Sequence, residues 1–439
     1  MHQPTSNELY DIYLQHPSVR IDSRKVMPGD LFVGLAGTQV QGNAFAAKAL
    51  AAGAAYAIVD DPSVVIAGDE RYLLVADSLA ALQELAREHR RRHQMPVLAI
   101  TGSNGKTTTK ELVNAVMSRQ YAVHATPGNY NNHLGLPLTV LATPVGTEMT
   151  ILEMGANHQK EIAALCRIGL PTHGLVTNVG DAHLEGFGGR EGVIKGKGEL
   201  YDYLAKTKGV AFVNADEDNL ASMASANQRI IFYLESATPS PTEPAMEVSV
   251  FAVHPNLVVG FLDENGALLR ATLELSGRHN LQNAKTAIAV GKYFKVPGAE
   301  IVKGLEGYHS SNHRSQLLEH RDVRFYWDAY NANPSSVEAA LAGFSADHAA
   351  EDAVVVLGEM LELGEVSPAA HRKVALRAGQ VARTVLLVGS AMKSVAEEFE
   401  RPWFADSGQL AEWFWRQDWK GKTVFVKGSR GNRLEHLLT

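Results

Sequence analysis

Short uninterrupted apolar runs recur along the chain and end in Gly, Asn or Asp: "PVLAIT" (96–101), "MTILEMG" (149–155), "GLVTNVG" (174–180) and "GVAFVNAD" (209–216). Continuous rather than alternating apolar residues are the mark of strands covered on both faces. Segments of helical periodicity separate them, so the middle of the chain predicts βαβ units and a mainly parallel sheet. Behind "AITGSNGKTTTK" (99–110), Leu112, Val113, Val116 and Met117 recur at helical spacing and predict a helix with one buried face. Between 230 and 276 the texture changes. "RIIFYL", "MEVSVFAV" and "LVVGFLDENGALLRATLEL" predict a small antiparallel subdomain, with Asn265 and Gly266 in a tight hairpin turn and "ATPSPTEP" (237–244) as an exposed connection.

A second α/β series, "RFYWDAY" (324–330), "AVVVLGEM" (353–360), "TVLLVGS" (384–390) and "KTVFVKGS" (422–429), predicts a doubly wound C-terminal domain. "GDLFVGLAG" (29–37) and "AAYAIVDD" (54–61) mark a further α/β unit at the N-terminus. The expected fold is therefore α/β in three domains: 1–92, a central 93–310 with the antiparallel addition, and a Rossmann-like 311–439. A length of 439 residues suits this number.

The net charge of −7 argues against a nucleic-acid partner, which would need a basic face. Cys166, the only cysteine, excludes a disulfide framework and fits a reducing compartment. The N-terminus lacks a signal-peptide pattern, and the alanine-rich stretch 46–59 is shorter than the roughly 20 residues that cross a bilayer. A cytoplasmic monomer with no membrane association is expected.

Candidate chemistry centres on the glycine loop. The common phosphate-loop spacing would require glycine at position 100, where the chain has Ile100. Gly102 and Gly105 nevertheless let backbone approach phosphates, the helix behind offers free amides, Lys106 adds a charge, and the Thr107 hydroxyl suits a magnesium ion. A plain glycine turn with a solvated lysine is the competing reading; the order strand, loop, lysine, hydroxyl, helix favours the nucleotide site. Glu153 ends an apolar strand, so it is either a hard oxygen ligand at the same crevice or a carboxylate capping a helix. His183 follows another strand end as a ligand or an ordinary loop residue. Lys195 and Lys197 read alone as solvated helix lysines.

"TGSNGKTTTKE", "NYNNHLGLPLT" (129–139), "ILEMGANHQKEI" (151–162), "TNVGDAHLEGFGGREGVIKGKGE" (177–199), "SGRHNLQNAKTA" (276–287) and "DAYNANPSSVEAAL" (328–341) together resemble the Mur ligases. The resemblance runs from "IDSRKVMPGDLFVGLAG" (21–37) to "VKGSRGNRLE" (426–435), and the short glycine loop is this family's own form. It implies ATP-dependent amide synthesis through an acyl phosphate. The C-terminal "DAYNANP", without the "DNPR" of the step adding the third peptide residue, implies the branch that joins D-Ala-D-Ala to UDP-N-acetylmuramoyl-tripeptide.

Carried over by position, the resemblance implies that Gly102, Ser103, Asn104, Gly105, Lys106, Thr107 and Thr108 hold ATP phosphates. Thr107 and Glu153 would bind one Mg2+; His183 and Lys197, the latter as a carbamate, a second. Lys195 is the neighbouring decoy. Asn280 would meet adenine, Arg314 the γ-phosphate and Asp328 the ribose. Asp22, Ser23 and Arg24 would meet the UDP part, and Asn331 and Asn333 the nucleotide edge or the incoming dipeptide. Lys106, Lys197, His183 and Arg314 form the implied catalytic set. Two positions depart from the family pattern: Asn43, where His is frequent, and Trp327, where a second acidic residue is common before Asp328.

Overall fold

The computed structural model describes residues 3–37, 40–239, 245–310 and 316–439. Arg314 and positions 240–244 of the proline-rich segment lie outside them. Three sheets organise the chain. The first has four parallel strands, Val19–Arg20, Leu31–Val33, Tyr56–Val59 and Tyr72–Leu74. Asn43 is buried beside it, donating to Asp60 Oδ1 at 2.6 Å and accepting from the Asp60 amide. At this position an amide serves as a structural pin.

The central sheet has nine strands. Val97–Thr101 lies between Met149–Glu153 and His173–Val176, parallel to both. Side chains of these strands are buried on both faces, as their unbroken apolar runs require. The helix Lys106–Met117 follows the glycine loop, with Leu112, Val113, Val116 and Met117 fully buried.

The expected antiparallel strands are Met246–Ala252, Leu257–Leu262 and Leu268–Leu273. They continue the nine-stranded sheet, and Arg229–Glu235, expected among them, is parallel to both its neighbours. All but one of its positions are at least partly exposed, and such a texture is the same for either strand direction, which is why it misled. The turn after Leu262 is built on Asp263, whose carboxylate accepts from the Asn265 and Ala267 amides, with Gly266 at φ +81°.

The third sheet has six strands in the order Gln316–His320, Val323–Asp328, Thr423–Lys427, Ala353–Gly358, Thr384–Val388 and Trp403–Phe404, all parallel except the first. Trp327 belongs to its aromatic core, edge-on to Phe325, so bulk has replaced charge there. Among the described residues no helix is long and apolar enough to cross a membrane.

Candidate active site

A cleft of about 940 Å³ opens beyond the carboxyl ends of the central strands, where a parallel sheet exposes its loops and helix N-termini. The glycine loop forms its floor. Gly102 and Gly105 have φ of +139° and +78°; a Cβ would come within 2.0 Å of Thr177 Oγ1 at the first and 2.5 Å of Asn283 Oδ1 at the second. Only glycine fits both. The segment that follows the strand His173–Val176 clamps the loop: Ser103 N donates to Asn178 O, Asn104 N to Asn178 Oδ1, and Thr177 Oγ1 to Asn104 O at 2.6 Å. Lys106 Nζ folds back onto the carbonyls of Gly102 (2.7 Å) and Ser103 (3.1 Å). A lysine so held keeps its charge at the loop mouth, in front of the amides that begin the helix, and the combination suits a polyphosphate.

Thr107, Thr108, Glu153 and His183 line the same cleft. Glu153 is 1% exposed. Its Oε1 accepts from Asn131 Nδ2 at 2.7 Å, while its buried Oε2 has no hydrogen-bond partner; Lys110 Nζ stands 3.7 Å from it. A buried carboxylate oxygen left without a hydrogen bond is costly unless something binds there, and a hard divalent cation is the fitting occupant. His183 begins a short helix at φ +55° and bonds through Nδ1 to Glu362 of the C-terminal domain. Burial, with the Lys106 and Lys197 charges, lowers its pKa although Glu362 opposes the shift. A neutral imidazole donating from Nδ1 keeps its lone pair on Nε2.

Lys195 and Lys197 separate cleanly. Lys195 is exposed on the helix Arg190–Thr207, whereas Lys197 is 1% exposed behind the cleft wall. Its Nζ donates to the carbonyl of Ala156, a wall residue, at 3.2 Å and lies 4.9 Å from the Phe187 ring centroid. Burial and the Lys106 charge push this amine well below the usual lysine value. A lowered pKa favours the neutral amine, the form that reacts with carbon dioxide.

The C-terminal domain closes the opposite wall. Asn333 caps the helix Pro334–Asp347 through Ser336 N and donates from Nδ2 to Asn104 Oδ1 at 2.7 Å; Asn104 Nδ2 donates to Ser335 Oγ at 3.1 Å. Asp328 is paired with the buried Lys427, whose Nζ also reaches Asn331 O at 3.2 Å. Asn280 sits in the first turn of the helix Arg278–Tyr293. Its Nδ2 donates to Ser276 O and to His279 Nε2, while Oδ1 accepts from Asn283. Both its donor hydrogens are used, which leaves one acceptor lone pair.

Asp22, Ser23 and Arg24 are not among the cleft residues. They form a separate turn on the first sheet, where Arg24, with its side chain 80% exposed, grips the Asp22 carboxylate at 2.8 and 2.9 Å. This pairing holds the Asp22 pKa down to about 2. Lys110, Asn131, Asn178, Glu362 and Lys427 were not anticipated. Lys110 sits one turn behind Lys106 on the same helix, and the others reach the site from segments distant from the glycine loop.

Three family profiles match in sequence: "Mur ligase family, catalytic domain" over 17–90, "Mur ligase middle domain" over 100–291 and "Mur ligase, glutamate ligase domain" over 313–430. A Bacillus subtilis protein named UDP-N-acetylmuramoyl-tripeptide--D-alanyl-D-alanine ligase is 32% identical, covering 99% of this chain and 94% of its own. The crystal structure of MurF from Acinetobacter baumannii superposes with a TM-score of 0.86 at 28% identity, covering 99% and 97% of the two chains. MurF from Thermotoga maritima in complex with ADP gives 0.81 at 26%, covering 97% of each. With a relative above 30% identity across nearly its whole length, and the glycine loop, Glu153 and His183 gathered in one cleft, the chain belongs to the Mur ligase family.

Proposed function

We propose that this protein is an ATP-dependent ligase that joins D-Ala-D-Ala to UDP-N-acetylmuramoyl-tripeptide, releasing ADP and phosphate, as a cytoplasmic monomer. The observation that carries the reading is the cleft itself. A phosphate-binding floor and a buried carboxylate with one oxygen lacking a hydrogen bond meet there under the C-terminal domain, and the Lys197 amine lies buried behind the wall. Dipeptide specificity is supported by the named relatives, and the nucleotide by the ADP-bound neighbour.

A carboxylate resists attack by amines because its leaving group would be oxide. Its oxygen instead attacks the γ-phosphorus of ATP and ADP leaves; the dipeptide amine then attacks the carbonyl carbon, loses a proton, and expels phosphate. In this reading Gly102, Ser103, Asn104, Gly105, Thr108 and Lys106 hold the phosphates, and the charge of Lys106 offsets what builds up on the transferring group. Thr107 and Glu153 would hold one Mg2+, and His183 with a carbamate on Lys197 a second. Such ions neutralise charge on the transferring phosphoryl group. The Glu153 oxygen without a hydrogen bond supports the first site, and the burial of Lys197, which lowers its pKa, supports the carbamate.

Asp328 would meet the ribose, Asn280 the adenine and Arg314 the γ-phosphate. Asn331 and Asn333 lie where the nucleotide edge or incoming amine would pass. Asp22, Ser23 and Arg24 would take the UDP end, with domains running 1–92, 93–310 and 311–439. The Asn104–Asn333 contact supports a closed arrangement that shields an acyl phosphate from water.

Phosphate release from ATP, measured with UDP-muramoyl-tripeptide and D-Ala-D-Ala, single amino acids or no acceptor, tests this. Release specific to the dipeptide supports it; release with a single amino acid, or independent of acceptor, overturns it.

A further inference from the structure

One arm of the cleft lining carries the amides Asn280, Gln282 and Asn283, with Glu217 also in the lining. The helix carrying these amides lies against the phosphate loop, for Thr109 Oγ1 donates to Asn283 Oδ1 at 2.9 Å. A nucleotide whose terminal phosphates point toward Glu153 therefore directs its base into the amide arm.

Gln282 is oriented there by a chain of hydrogen bonds with only one consistent polarity. It starts at Lys285, which is 0% exposed, is paired with Asp216, and can only donate. Lys285 Nζ lies 3.4 Å from Asn214 Oδ1, which also accepts from the Asp216 amide at 3.3 Å. Two donors on one side of Asn214 fix its oxygen toward them. Its Nδ2 then donates to Gln282 Oε1 at 2.7 Å. Asn214 is 1% exposed, so no water competes for this link. With its oxygen turned toward Asn214, Gln282 presents its Nε2 hydrogens on the other side, and these have no partner among the described residues.

We propose that Gln282 is a specificity-determining residue for the nucleotide base, donating from Nε2 to an acceptor ring nitrogen of adenine, with Lys285 and Asn214 as positioning residues that set the polarity of its amide. The neighbouring Asn280 has the complementary character. Its remaining Oδ1 lone pair suits the exocyclic amine. The pair reads an acceptor and a donor on one edge of the base, a pattern that a site of fixed amides discriminates well. This proposal rests on the ATP reading of the cleft.

The test is the affinity of ATP, 1-deaza-ATP and 7-deaza-ATP for the full-length protein and for Gln282→Leu, by calorimetry, with Lys285→Met as a second variant. For wild type, loss of one of the two ring nitrogens is expected to weaken binding about five- to tenfold, the worth of one hydrogen bond. In Gln282→Leu the affinity for ATP falls by the same factor and the deaza penalty disappears, with KM for D-Ala-D-Ala unchanged. Lys285→Met shrinks the deaza penalty if its role is to set polarity. ATP bound equally by wild type and Gln282→Leu, or a deaza penalty that persists in the variant, overturns the proposal while leaving the ATP reading intact. Failure of wild type to bind ATP at all overturns the ATP reading itself.

Discussion

Replacing Lys197 by methionine is expected to stabilise the resting protein at neutral pH while abolishing ligation. In an unfolded chain a lysine takes up its proton at about pH 10.4, so roughly one in 2,500 is neutral at pH 7. In the fold this side chain is 1% exposed, with the Ala156 carbonyl and the Phe187 ring beside its amine and the Lys106 charge nearby, and its pKa is well below the usual value. Between the folded pKa and 10.4 the unfolded chain thus holds one more proton than the native one, and stability must rise with pH. A group this deeply buried contributes up to about 1.4 kcal/mol per pH unit. Methionine contributes no such slope. Urea unfolding of both proteins at pH 7, 8 and 9 in buffer freed of carbon dioxide should show the variant's advantage shrinking by up to about 2.8 kcal/mol over those two units. Bicarbonate should then alter the wild type alone. Parallel stability curves for the two proteins would refute the burial argument, and with it the chemical basis for a carbamate.

Three further outcomes follow from other parts of the cleft. Gly102→Ala forces a Cβ against Thr177 at φ +139° and should lose about 1–3 kcal/mol of stability together with ADP binding, checked by thermal unfolding with and without ADP. Lys106→Ala should abolish turnover with an unchanged circular dichroism spectrum; retained turnover would remove the lysine from the mechanism. Asn333→Ser keeps a capping oxygen but cannot reach Asn104, so stability should hold within about 0.5 kcal/mol while interdomain energy transfer between dyes on the central and C-terminal domains falls; Asn333→Ala should lose about 1 kcal/mol in addition.

Backbone features of the site were legible in the sequence because they are local. Gly102, Gly105 and the buried stripe from Leu112 to Met117 depend on neighbours a few residues away, and apolar runs of the central strands carry their own burial signal. Polar side chains were less legible. Lys195 and Lys197 look alike in composition, and only the helix packing that buries one of them separates the two. Lys110, Lys427 and Lys285 carry no mark in the sequence, yet each is buried and paired with a carboxylate brought from elsewhere in the chain. Asn280 was expected to meet adenine; that its donor hydrogens are spent on Ser276 and His279 is a result of helix geometry that no motif encodes. Strand direction between 229 and 252 was illegible for a similar reason, since alternation reports burial and not pairing.

The most direct measurement follows an oxygen atom. Tripeptide substrate labelled with 18O in its terminal carboxylate should, with ATP and D-Ala-D-Ala, yield phosphate carrying one labelled oxygen and an amide product that keeps the other. Unlabelled phosphate, or no amide product with D-Ala-D-Ala, would contradict ligation through an acyl phosphate.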